Sequence, residues 1–125
     1  MAFNAAAMYQ NTSVQTASPA GIVLLLLEGA IKFANRAIIG IEKNDIAMAN
    51  TNLIKTQRII TELNASLDEK YPVSKDFERI YTQINALLME ANMKKDKELV
   101  EQALRYIRDM RDTWKQVMEL TKTAR

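Results

Sequence analysis

The hydrophobic positions of this chain recur every three or four residues, which is the spacing of amphipathic helices. Ser18 followed by Pro19 is a helix-start signal, because serine can cap free amides and proline lacks the amide that would go unused. The pattern predicts a first helix from Pro19 to about Glu42. Its apolar positions include Ile22, Val23, Leu26, Ala30, Phe33, Ala37 and Ile41.

The next segment has a seven-residue repeat, which predicts a second helix with one narrow buried seam. Asn44 or Asp45 is the expected N-cap. The seam consists of Ile46, Leu53, Ile60 and Leu67, with Ala49, Thr56 and Leu63 between them.

Two further helices follow a turn over residues 68–73, where Tyr71 precedes Pro72 and is therefore biased away from helix. Ser74 is the expected cap of a third helix over residues 75–94, and Asp96 of a fourth that ends near the C-terminus. The third helix has apolar residues at Phe77, Ile80, Tyr81, Ile84, Leu87, Leu88 and Ala91. The fourth has Val100, Ala103, Leu104, Ile107, Met110, Trp114, Val117 and Thr121 on its inner face.

Four helices joined by short connections are expected to pack as an antiparallel up-down-up-down bundle, because short loops make sequential helices neighbours. The predicted fold class is all-α: a four-helix bundle over residues 19–125, with a loosely attached N-terminal segment over residues 1–18. A chain of 125 residues is long enough for one core and too short for two.

Composition argues against catalysis. The chain has no His and no Cys, so it lacks the commonest general base near neutral pH and any thiolate chemistry. Nucleophilic catalysis also needs an activated Ser, Thr or Lys beside a base, and no such spacing stands out. We therefore expect no enzyme activity, no catalytic residues and no cofactor.

Metal binding is a weaker alternative. The Glu-x-x-His motif of ferritin-like bundles cannot occur without His. Glu28, Glu62 and Glu90 lie within apolar helical stretches, and a site built from oxygen ligands alone could use such residues. Solvated carboxylates are much commoner than ligands, so we predict no metal site.

The distribution of charge points to a protein partner and a cytoplasmic location. A net charge of +2 with both signs intermixed does not resemble a nucleic-acid-binding surface. No charged residue precedes Glu28, so the basic start of a secretory signal peptide is missing. The longest apolar run, residues 22–27, is too short to span a bilayer, which predicts a soluble protein without membrane insertion.

More apolar residues flank the seams than one bundle interior needs, which predicts partly apolar grooves between helices. The uncharged N-terminal segment could cover such a groove through Phe3, Met8, Tyr9 and Val14, or could be a mobile tail. Among seven methionines, Met89 and Met93 could contact a partner, although Met also fills cores. The surplus residues are Leu24, Leu27, Ile31, Ile54, Ile59 and Leu99.

Several strings of the sequence, in this order, resemble the FliS family of flagellin export chaperones. The match covers nearly the whole chain, although the family usually has tyrosine where this chain has Leu27. The strings are Tyr9, VQTASP at 14–19, LLEGAIKF at 26–33, NLIKTQRIITEL at 52–63, SLD at 66–68, EANMKKD at 90–96 and RDTWK at 111–115.

The resemblance implies an antiparallel four-helix bundle that is not an enzyme. It implies binding of the disordered C-terminal segment of flagellin in the cytoplasm, prevention of its premature polymerisation, and delivery to the flagellar type III export gate. In that family the chaperone's own N-terminal segment occupies part of the client surface until displaced. The candidate partner-binding residues are Met8, Tyr9, Val14, Ile54, Ile59, Leu63, Leu67, Tyr81 and Leu88.

Other functions stay open at the level of sequence. A helical adaptor for another amphipathic-helix partner, or for other flagellar regulatory proteins, would use the same grooves. A homodimer that buries its surplus apolar surface on itself would show a concentration-dependent mass without any client. An oxygen-ligand metal-binding bundle would retain metal after purification.

Overall fold

A computed structural model describes the backbone of residues 19–123 and the side chains of residues 20–120. The predicted N-terminal segment, residues 1–18, lies outside the described residues. The described part contains four helices: α1 (Pro19–Glu42), α2 (Ile46–Ala65), α3 (Ser74–Lys94) and α4 (Lys97–Thr123). The predicted all-α four-helix class is confirmed.

The helices form a closed ring of neighbours. α1 packs against α2 and α4, and α3 packs against the same two helices, whereas the backbones of the diagonal pairs α1 with α3 and α2 with α4 do not approach each other closely. The connections from α1 to α2 and from α3 to α4 are only a few residues long, so each pair must run antiparallel. This is the arrangement predicted from the loop lengths.

The core lies along the centre of the ring and draws on all four helices. Its largest fully buried members include Leu27 of α1, Leu53 of α2, Tyr81 of α3 and Ile107 of α4. Burying a side chain of this size stabilises a fold by about 1.5–3 kcal/mol, so this interior dominates the bundle's stability. The placement of Tyr81 in the core agrees with its position on the apolar stripe of α3.

Two of the predicted helix caps are present. The Asp45 carboxylate accepts a hydrogen bond from the Met48 amide (3.0 Å), and the Asp96 carboxylate accepts one from the Glu98 amide (2.9 Å). The N-cap prediction for Ser74 is wrong: α3 begins at Ser74, preceded by Val73, which makes no capping hydrogen bond from its side chain. Ser74 is the first residue of the helix and not the residue before it, and it is buried.

Both short connections leave their helices through a residue with left-handed backbone geometry. Asn44 follows α1 with φ 59° and Lys95 follows α3 with φ 52°. After each one, the next amide returns to the helix: Asp45 N donates to Gly40 O (2.7 Å), and Asp96 N donates to Ala91 O (3.0 Å). These are Schellman-type ends, which satisfy otherwise free carbonyls and turn the chain sharply.

Four seam and groove predictions are wrong in detail. Ile46 is 51% exposed, because it is the first residue of α2 and lies beyond the last packed layer. Val117 is 39% exposed. It lies level with the first residues of α3, where that neighbouring helix begins, because α4 has 27 residues and α3 only 21. Leu27 and Ile59, predicted as surplus groove residues, are buried in the core.

Candidate partner-binding surface

No metal-binding cluster is present in the part of the chain that the structure describes. Between residues 19 and 123, no three His, Cys, Asp or Glu side chains are grouped so as to hold a metal ion. Glu28, Glu62 and Glu90 lie on three different helices, and Glu90 pairs with Lys94 at 3.1 Å. Over the same residues, no helix has the length and apolar character needed to cross a membrane.

Four of the predicted partner-binding residues belong to the interior. Ile59, Leu63, Tyr81 and Leu88 are each at most 2% exposed and form part of the continuous core. In this packed state they support the surface from below and cannot themselves touch a partner. Their direct contact with a client would require the bundle to open.

Two predicted residues, Ile54 and Leu67, are partly buried and remain accessible. Ile54 lies on α2, and Leu67 lies just beyond the end of that helix. The other three predicted residues, Met8, Tyr9 and Val14, lie outside the described residues. The accessible residues of the prediction therefore lie on the side of α2 that faces α3.

Two exposed polar contacts mark the register between α2 and α3. Asn92 Nδ2 donates to Asn50 Oδ1 (2.9 Å), and Asn85 Nδ2 donates to the Thr61 hydroxyl (3.2 Å). Residues three, four or seven apart share a helix face, so Ile54 lies on the same face as its neighbours Asn50 and Thr61. We call the furrow between these two helices the α2–α3 groove.

Met89 lies on the α3 side of the groove. It is four residues after Asn85 and three before Asn92, which places it opposite Ile54 in the register set by the two bonds. Met89 is 56% exposed, and Met93, one turn further on, is 78% exposed. The groove therefore presents flexible thioether side chains to solvent, which is the chemistry that suits an adaptable protein contact.

A cleft of about 450 Å³ continues the groove at the connection from α2 to α3. Leu67 supplies an apolar part of its wall, and charged residues surround its mouth. The lining residues are Asn64, Ala65, Leu67, Glu69, Ser74, Lys75 and Glu78.

Two amide oxygens along this side of the bundle are buried without a hydrogen bond. The side-chain Oδ1 atoms of Asn64, in the cleft wall, and Asn85, in the groove, have no partner among the described residues. An unpaired buried acceptor costs about 1–3 kcal/mol, which native folds usually avoid. Each atom is covered in this structure, so it can accept a hydrogen bond from a ligand only after its side-chain amide turns toward the surface.

Aromatic side chains support the same end of the bundle from inside. The Phe77 and Trp114 rings lie 6.0 Å apart with an interplanar angle of 39°. Burial raises the pKa of Tyr81 to about 12, and the nearby Trp114 indole offsets a small part of this increase. The Trp114 Nε1 atom is buried and does not reach full hydrogen-bond geometry with any described residue.

Sequence reasoning anticipated only part of this surface. From the sequence, Met89 and Met93 are only a weaker alternative for partner contact, although each is an apolar residue off the inner stripe of α3. Their position off the inner stripe is the feature of the sequence that indicates exposure. The buried amide oxygens of Asn64 and Asn85 could not have been found from spacing, because their isolation depends on how α2 packs against α3.

Comparison with known proteins points to the same family that the sequence resembles. Residues 2–121 match the family model described as flagellar protein FliS. The flagellar secretion chaperone FliS of Bacillus subtilis is 37% identical over 117 residues, covering 94% of this chain and 88% of the relative. The proteins of the same name from Salmonella typhimurium and Campylobacter jejuni are 26% identical (85% and 81% covered) and 25% identical (94% and 91% covered).

Proposed function

The chain belongs to the FliS family of flagellar proteins, and from that premise we propose that it binds the disordered C-terminal segment of flagellin. Family membership gives it a chaperone role in flagellar export and no enzymatic activity. In the proposed function, the chain holds flagellin in the cytoplasm, prevents its premature polymerisation and assists its export by the flagellar type III secretion system.

The α2–α3 groove is the observation that carries the proposed binding mode. Its exposed Met89 and partly buried Ile54 offer apolar contact to an amphipathic helix, the usual ligand of such grooves. The Oδ1 atoms of Asn64 and Asn85 can accept hydrogen bonds from polar side chains or terminal amides of that helix once their side-chain amides turn toward the groove. Apolar area then supplies affinity, and the amides fix the position of the client.

The physical basis of the chaperone action is coupled folding and binding. A disordered segment that becomes helical in an apolar groove buries on the order of 1,000–3,000 Å² and spends several kcal/mol on ordering. While bound, its apolar face is covered by the chaperone and cannot join other flagellin chains. Because the ordering cost lowers net affinity, the client can still be released at the export machinery.

Residues 1–18 have a regulatory part in this proposal. They contain no charged side chain, and Met8, Tyr9 and Val14 supply apolar groups that can rest on the client groove until flagellin displaces them. Deleting residues 1–15 is then expected to tighten client binding or make it faster. Unchanged or weaker binding would contradict this part of the proposal.

The decisive experiment is calorimetric titration with a synthetic peptide of the C-terminal segment of flagellin from the same organism. One-to-one binding accompanied by a gain in helical circular dichroism is expected. Absence of heat and of added helicity would refute flagellin as the client. Analytical ultracentrifugation of the free protein tests the homodimer separately, because dimerisation alone gives a mass that rises with concentration.

A further inference from the structure

Three cationic side chains surround one aromatic ring where α1 packs on α2. The Lys55 Nζ atom lies 5.2 Å from the centroid of the Phe33 ring, and the Lys32 Nζ atom lies 5.6 Å from it. The Arg36 guanidinium carbon lies 6.0 Å from the same point. We call these four residues the cationic patch. Lys55 belongs to α2 and the others to α1, so the patch depends on the packing of the two helices.

No member of the patch forms an ion pair with an acidic side chain among the described residues. The ion pairs among the described residues involve Lys70, Lys94, Lys97 and Arg111, and none involves a member of the patch. On α1, Glu42 points to the other side, where it pairs with Lys97 of α4 at 3.2 Å. Glu28 lies one turn before Lys32 on α1, and Glu62 lies two turns after Lys55 on α2, but neither forms an ion pair with a member of the patch.

Three like charges in this space repel each other. Since each lies within 6.0 Å of one centroid, any two are at most about 12 Å apart, whereas the screening length at physiological salt is about 8 Å, so salt weakens this repulsion. The π-electron cloud of Phe33 offsets part of this repulsion. The Lys32, Arg36 and Lys55 side chains are exposed, so an anionic ligand could reach all three.

We propose that the cationic patch docks an acidic segment of a partner protein. Two or three Asp or Glu carboxylates of the segment pair with Lys32, Arg36 and Lys55, and an apolar side chain between them rests on the accessible edge of Phe33. The first 27 residues of this chain contain no acidic side chain, so they cannot supply this segment.

The geometry favours a protein segment over nucleic acid. Stacking of a base needs an open aromatic face, whereas the Phe33 ring is partly buried and has three cations over it. The patch is also compact, and the chain as a whole carries a net charge of only +2. It borders α1, on the opposite side of α2 from the α2–α3 groove, so it can act whether or not the proposed client binds there.

The test uses two fluorescein-labelled peptides in anisotropy titrations with the full chain. One is a twelve-residue peptide with Glu and Leu in a Glu-Leu-Glu-Glu repeat, and the other has Gln in place of every Glu. We expect the Glu peptide to bind, with an affinity that falls as salt rises, and the Gln peptide not to bind. The triple variant K32Q/R36Q/K55Q is expected to bind the Glu peptide about tenfold more weakly, which corresponds to three exposed ion pairs of about 0.5 kcal/mol each.

The matched control is R79Q/R105Q/R108Q, which removes the same number of positive charges from exposed positions on α3 and α4. This control is expected to retain at least half of the wild-type affinity. An equal loss in both triple variants would show that net charge alone attracts the peptide and would overturn the proposal. Tighter binding of a labelled dT12 oligonucleotide, lost in K32Q/R36Q/K55Q, would overturn it in favour of a phosphate ligand.

Discussion

Gly40 of α1 and Ala49 of α2 lie in direct backbone contact. A Cβ atom at position 40 would be 2.7 Å from the Ala49 amide nitrogen and 3.2 Å from the Asp45 carbonyl oxygen. Glycine is required here because the obstacles are backbone atoms, which cannot move aside as a flexible side chain can. The contact brings the two helices together at the end where the chain turns from one to the other.

The two glycines of α1 are therefore expected to respond to alanine in opposite ways. G40A should destabilise the fold by roughly 1–3 kcal/mol, because α1 and α2 must separate. At Gly29 a Cβ would meet only the Ile59 Cδ1 atom, at an ordinary 3.5 Å, so G29A should stabilise the fold by about 0.5–1 kcal/mol through helix propensity. Both changes can be measured from the urea concentration at the midpoint of unfolding, provided that the m-value is the same in each variant. Destabilisation by G29A would show that the packing there is tighter than described.

Tyr81 should make the stability of the bundle sensitive to alkali. Burial raises the pKa of Tyr81 from 10.0 to about 12, so the folded state favours the neutral phenol. This contribution is complete below pH 10 and is lost as pH rises from about 10 to about 12. The free energy of unfolding of the wild type, relative to Y81F, should therefore fall by up to roughly 3 kcal/mol over that interval.

The measurement for Tyr81 is chemical denaturation of wild type and Y81F in parallel at pH 9, 10, 11 and 12. Other tyrosines and lysines titrate in both proteins, so their effects largely cancel in the difference. A difference that stays constant across this range would mean that the Tyr81 phenol ionises as easily in the folded protein as in the unfolded chain.

Asn85 is expected to lower the stability of the fold while contributing to client binding. Its Oδ1 atom is buried without a partner, while its Nδ2 donates to the exposed Thr61 hydroxyl, which water can satisfy instead. N85L should therefore raise the free energy of unfolding by about 0.5–1 kcal/mol. The same variant should bind the flagellin segment several-fold more weakly if the amide serves the client. A stabilised variant with unchanged affinity would remove Asn85 from the proposed binding surface.

Met89 should contribute to client affinity and little to folding. It is 56% exposed, so M89K is expected to change stability by less than about 0.5 kcal/mol. Placing a charge opposite Ile54 should nevertheless weaken binding of the flagellin segment about tenfold, since an unpaired ammonium would have to be covered. The matched control is I39K, at an exposed apolar position of α1. Equal weakening by both variants would contradict the placement of the client in the α2–α3 groove.

The helices could be predicted from the sequence because their apolar periods are regular and their ends carry recognisable residues. The bounds of α1 and the Asp45 cap follow directly from such signals. Ile46 and Ser74 were misplaced because periodicity identifies a face but does not say where the neighbouring helix stops. Helix ends are set by tertiary packing as much as by local preference.

The partner-binding surface was harder to predict for a related reason. Ile54 and Ile59 are similar in type and both lie beside the α2 seam, yet Ile54 is accessible and Ile59 is 2% exposed. The rotation of α2 about its axis decides between them, and this rotation depends on all the neighbours at once. The cationic patch is another example, because Lys55 reaches Phe33 only in the observed register of α1 and α2.

The two left-handed turns at Asn44 and Lys95 lie at the same end of the bundle, which makes the molecule mechanically unequal along its axis. That end is also fastened by the Lys97–Glu42 ion pair and by the Asn92–Asn50 hydrogen bond. The opposite end holds the longer α2–α3 connection and the beginning of α1. Separating the helix tips at that opposite end breaks neither of the two tight turns, so any opening of the bundle toward a partner is expected to begin there.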